Sequence, residues 1–154
     1  VWYHLGLSHY LLGEYAEAAE AYERCRRLSA SDDKLIAVTD WYWMTLGRLG
    51  ERERADALLE RIHEGMDCGE NLAYYKRLLF YKGLVPESEL LSGDTLNIIT
   101  QGYGLSNYCR LQGDAGKADE LIERILAAGD EDMWYAFGYL AAMADRKRFL
   151  RDKN

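Results

Sequence analysis

Apolar residues recur along most of the chain at the three-to-four-residue spacing of amphipathic helices, and short polar breaks divide the pattern. The spacing predicts helix pairs at 2–12 with 15–28 and at about 33–49 with 52–64. It predicts a first helix at about 70–82, a pair at about 95–111 with 115–128, and a last helix at about 131–146. Asp94 and Asp114 stand where N-caps are needed. After 70–82 the partner helix is stunted, because Pro86 suits a helix start but Ser92-Gly93 closes it almost at once. The breaks themselves recur. Gly13, Gly50, Gly83 and Gly113 are separated by 37, 33 and 30 residues. Five residues after three of them comes an alanine (Ala18, Ala55, Ala118), and Ser88 fills that slot after Gly83.

The opening stretch WYHLGLSHYLLGEYAEAAEAY can be laid on the pattern W-x2-L-G-x2-Y…A-x3-F…P. Trp2, Leu5 and Gly6 match directly, His9 takes the tyrosine slot, and Ala18 and Tyr22 take the alanine and aromatic slots. Ala30 stands where proline is usual. The chain therefore resembles the tetratricopeptide repeat family. Gly83 and its surroundings carry the pattern faintly, while Trp134, Phe137 and Gly138 repeat the opening element with phenylalanine for leucine. The stretches TDWYWMTLGRLG and GYGLSNYCRLQGD are similar to segments of microbial tetratricopeptide proteins of no established activity. The resemblance also explains Gly6, which would cost about 1 kcal/mol relative to alanine inside a helix. In this family the paired helices approach closely there, so a Cβ would part them.

The resemblance implies an all-α, right-handed α-α superhelix of about four helix pairs with a C-terminal capping helix. It is expected as one domain over 1–146, with a degenerate third repeat at about 70–93 and a basic tail at 147–154. In such a solenoid the first helix of each pair lines a concave face that binds partners. The register puts Tyr3, Leu7 and Tyr10 on that face, then Asp40 and Met44. Ala73, Arg77 and Phe80 follow, then Tyr103, Asn107 and Arg110, and finally Tyr135 and Tyr139. Each set shares one helix face by its i, i+4 and i, i+7 spacing. Tyrosine suits recognition because it joins an apolar ring to a hydrogen-bonding tip at small entropic cost. Arg77 and Arg110 could each grip a carboxylate or phosphate with paired donors. The chaperone-tail clamp of the family also needs lysines, which the groove positions lack, so that partner is not implied.

Composition narrows the function further. With 49% hydrophobic and 29% charged residues the chain is of globular type. A net charge of −7, with basic residues interspersed among acids, argues against nucleic acid as a partner. No apolar run approaches the ~20 residues of a membrane span. Cys25, Cys68 and Cys109 are odd in number and form no C-x-x-C, which leans toward a reducing compartment such as the cytoplasm. The chain opens at Val1, at the edge of a helix, as it would if a leader or further repeats had been removed.

Catalytic signals are weak. His4 and His9 lie five apart, about 140° around a helix, so they form no i, i+4 metal pair. No nucleophile elbow, P-loop, H-E-x-x-H or dinucleotide fingerprint occurs. The expected function is a non-catalytic scaffold without cofactor or metal, holding a protein or peptide in a tyrosine-rich groove. A small-molecule or hydrolytic pocket around Asp40, Tyr74, Tyr103 and Asn107 is the alternative, since a carboxylate buried among aromatics would have a raised pKa. Self-association through an exposed face of the N-terminal helix is a third expectation.

Overall fold

The computed structural model describes residues 1–129, 133 and 136–153, with side chains to residue 149. Among these residues there are eight α-helices and no strand, so the chain is an all-α helical-repeat protein. No described helix is long and apolar enough to cross a membrane. The chain divides into two compact units, Val1–Val85 and Pro86–Asn154.

Unit 1 holds α1 (Trp2–Leu12), α2 (Tyr15–Leu28), α3 (Asp32–Arg48), α4 (Arg52–Leu58, continued by a 3-10 turn at Leu59–Arg61) and α5 (Leu72–Tyr81). Unit 2 holds a 3-10 turn at Glu87–Glu89, α6 (Thr95–Leu111), α7 (Ala115–Ala128) and α8 (Phe137–Lys153). The third second-helix is thus reduced to a single 3-10 turn. The last helix begins later than expected, at Phe137, and its backbone continues to Lys153.

One hydrogen-bond pattern recurs at all four breaks. The residue after each break glycine donates its backbone N–H back across the turn at 2.9 Å: Glu14 to His9, Glu51 to Leu46, Leu84 to Leu79 and Asp114 to Cys109. The glycines adopt φ of +79°, +75°, +79° and +89°. This is the Schellman arrangement, which needs a left-handed residue and therefore favours glycine. Ala18, Ala55 and Ala118 are buried, whereas Ser88 is exposed on the short turn.

Gly6 packs as expected. A Cβ there would lie 2.4 Å from the ring of Tyr22, so α1 and α2 close on each other only because position 6 has no side chain. Asp94 and Asp114 cap α6 and α7, accepting from Asn97 N–H at 2.8 Å and Lys117 N–H at 3.0 Å. The second helix of the second repeat stops short of residue 64. Its end is drawn toward α5, where Lys82 Nζ donates to the Ile62 carbonyl and the Tyr75 hydroxyl to the His63 carbonyl, each at 2.5 Å. The Tyr75 hydroxyl also accepts from Met66 N–H at 3.3 Å. Partners on α5 thus replace the next helical turn, and Ile62 turns out of the helix in extended conformation.

Candidate functional site

Three of the first helices, α1, α3 and α5, meet in unit 1, and the chain concentrates aromatic and charged side chains there. Asp40 on α3 and Arg77 on α5 are fully buried and form an ion pair of 2.8 Å. A buried charge is tolerated only when it is paired, and aromatic rings frame this pair. The Arg77 guanidinium lies 5.7 Å from the centre of the Trp41 ring and 5.3 Å from that of Tyr74. Its Nη2 also approaches the Met44 sulfur at 3.0 Å. Burial pushes the Asp40 carboxyl up to about 6, against the opposing pull of Arg77 and Tyr81. Burial works against the Arg77 charge as well, but Asp40 and the neighbouring tyrosines hold it above its usual value.

The tyrosines around this pair form a connected set. Tyr10 is buried edge-on to Trp41 at 5.3 Å, and Tyr74 meets the same indole edge-on at 6.4 Å. Tyr3 is half-buried; burial, then the nearby Tyr74 and Asp40, raises its phenol well above the ordinary value. Arg48 covers the far end of the set, donating to the Tyr15 hydroxyl at 2.9 Å and lying over the Tyr10 ring.

The structure therefore brings Tyr3, Tyr10, Asp40, Met44, Tyr74 and Arg77 together, but in two layers. Tyr10, Asp40, Met44 and Arg77 are buried, whereas Tyr3, Tyr74 and Phe80 are half-buried. Arg77 spends its guanidinium on Asp40, and both are 0% exposed. Asp40, expected as the carboxylate of a chemical pocket, is the internal counter-ion of Arg77.

The remaining predicted positions belong to unit 2. Tyr103 and Asn107 are buried on α6. Arg110 pairs with Asp119 on α7 at 2.6 Å and stacks over Phe149 of α8 at 3.8 Å, so it ties three helices together. The shallow pocket beside it, which includes Ile122 and Glu123, is bordered by a second ion pair, Arg146–Glu123 at 3.0 Å. The Tyr139 ring packs on the backbone at Gly129, where a Cβ would lie 2.5 Å away. Tyr135 lies outside the described residues. Among the described residues no group of three or more His, Cys, Asp or Glu could hold a metal ion.

The sequence reading missed two features of this site. One is the pairing of Asp40 with Arg77, although both stand in largely apolar runs and each would need a partner if buried. The other is the stack of Trp43 on Tyr81, with ring centres 3.8 Å apart and planes 10° from parallel. Tyr81 follows Tyr74 at i+7, which is the signal that could have found it.

No curated protein and no solved structure matches the chain. The first helix pair does match a known repeat: residues 1–32 fit the family model of the tetratricopeptide repeat.

Proposed function

We propose that the chain is a non-catalytic scaffold that holds a protein or peptide partner on the first-helix face of unit 1. The observation that carries this reading is the Tyr3–Tyr74 pair. Two half-buried tyrosines from helices far apart in sequence stand beside each other over the buried Asp40–Arg77 ion pair, the Tyr74 ring 5.3 Å from the guanidinium. Such rings are pre-positioned, so a partner would meet apolar surface and hydroxyl groups that lose little entropy on binding. Tetratricopeptide repeats generally mediate protein–protein interaction, and residues 1–32 fit the model of that repeat. In this reading Tyr3, Tyr74 and Phe80 make the contacts, while Tyr10, Asp40, Met44 and Arg77 hold them in place. The groove positions Tyr103, Asn107, Arg110 and Tyr139 of unit 2 are assigned to internal packing. The paired, buried state of Asp40 favours this reading over hydrolytic chemistry, which needs a carboxylate that meets its substrate.

The test is selection of peptides from a displayed random library on the intact chain, followed by titration against Tyr3→Ala and Tyr74→Ala variants below their melting temperatures. Each substitution should weaken binding by about tenfold or more, equivalent to about 1.4 kcal/mol. Failure to select any binder, or equal affinity for the variants, contradicts the proposal.

A further inference from the structure

The second helices of unit 1 present a surface of their own. Between α2 and the start of α4 lies an open groove of about 420 Å³, with Ala16, Ala19 and Tyr42 in its apolar lining. Its charged lining from α2 is Glu20, Glu23, Arg24 and Arg27. From the α4 side come Glu51 and Arg54, which pair with each other at 2.5 Å. Arg54 also donates to the Tyr42 hydroxyl at 2.9 Å. The α2 residues form one stripe, because positions 16, 19, 20, 23 and 27 recur at i, i+3, i+4, i+7 and i+11, with Arg24 flanking them.

The four charges of the stripe are paired within α2, Arg24 with Glu20 and Arg27 with Glu23, each at 3.0 Å. Arg24 also lies over the Trp2 ring, 4.7 Å from its centre. The side chains of Glu20, Arg24 and Arg27 are 69%, 53% and 76% exposed, and ion pairs so exposed add little stability. A carboxylate accepts several hydrogen bonds and a guanidinium donates five, so each group can keep its internal partner and take another. Along the helix the order is acid, acid, base, base. Turned end for end, it reads base, base, acid, acid. Two α2 helices laid antiparallel about a two-fold axis between residues 23 and 24 therefore set Glu20 opposite the partner's Arg27. The same axis sets Glu23 opposite the partner's Arg24, and no other antiparallel register pairs all four charges with one another. The four charges sum to zero although the chain carries −7, so two copies meet on this face without net repulsion. Ala16 and Ala19 leave room for the approaching helix.

We propose that this face of α2 docks a second copy of the chain, the two α2 helices lying antiparallel in an isologous contact. The surface is separate from the Tyr3–Tyr74 face, and its success or failure is independent of the function proposed there. The test exploits the difference between the two partners of Glu20, which are Arg24 within the helix and Arg27 across the axis. Sedimentation of the full chain over a range of concentrations should show a monomer–dimer equilibrium that weakens as salt screens the charges. Glu20→Lys removes two pairs per dimer and sets like charges opposite, so dimer affinity should fall by about tenfold or more. Adding Arg27→Glu to that chain should restore the dimer, because opposite charges face each other again across the axis. Adding Arg24→Glu instead should not restore it, although it repairs the pair within α2. These three side chains are exposed, so the variants keep the fold, which thermal melts verify. A chain monomeric up to its solubility limit, or a dimer indifferent to Glu20→Lys, overturns the proposal. So does rescue by Arg24→Glu in place of Arg27→Glu.

Discussion

Gly6 and Gly50 separate two physical demands on a single residue. At Gly6 the backbone is ordinary helix and the constraint is space, with the Tyr22 ring 2.4 Å from a built Cβ. At Gly50 space is open and the constraint is φ of +75°. Gly6→Ala should therefore destabilise the chain by about 1–3 kcal/mol through overpacking, although alanine is the better helix former. Gly50→Ala should cost about 1–2 kcal/mol through the left-handed backbone. Asparagine tells them apart in urea unfolding: it should recover part of the loss at position 50 and none at position 6. The Asp40–Arg77 pair makes a different prediction. Because burial raises Asp40 to about 6, the native state binds its proton more tightly than the unfolded chain, whose carboxyl titrates near 3.9. Stability from this group is thus full below about pH 4 and is lost as pH rises through about 6. Arg77→Met removes the cation that opposes the shift and leaves the carboxylate buried alone. Its cost should be about 3–5 kcal/mol near pH 8 and much smaller at pH 4.5, where Asp40 is protonated in both proteins. An equal cost at the two pH values, measured by urea unfolding, contradicts the assignment.

At the scale of elements, local chemistry determined what the sequence could reveal. The limits of α1 and α2 were readable because Gly13 ends one helix and a short polar turn starts the next. Asp94 and Asp114 marked their helix starts because an N-cap acts on its own N3 amide. The early end of α4 was not readable, because the groups that replace its last turn, Tyr75 and Lys82, come from α5. Tyr75→Phe removes one donor and one acceptor from the 62–66 segment while preserving ring packing. It should cost about 1–3 kcal/mol and speed amide hydrogen exchange at Met66 well before that of the α3 core. Unchanged exchange at Met66 would mean that the segment is held by other contacts.

At the scale of the molecule, the repeat register was readable because the same turn chemistry recurs four times. Which groove residues face outward was not, because periodicity puts side chains on a helix side without saying how deep that side lies. Thus Tyr3 and Tyr74 lie half-buried, while Asp40 and Arg77, read as members of the same face, are fully buried and form an ion pair. The aromatic run Trp41, Tyr42, Trp43 shows the other limit. Its three rings pack against Tyr10, Tyr22 and Tyr81, as a helix between neighbours requires, but only the structure names those partners. The account turns on whether the first-helix face of unit 1 is where a partner sits. The most direct measurement is an amide and aromatic NMR titration of the labelled chain with a library-selected peptide. Shifts concentrated at Tyr3, Ala73, Tyr74 and Phe80, with those of α2 and α4 unmoved, are predicted. Shifts confined to α2 and α4, or spread without focus, would contradict it.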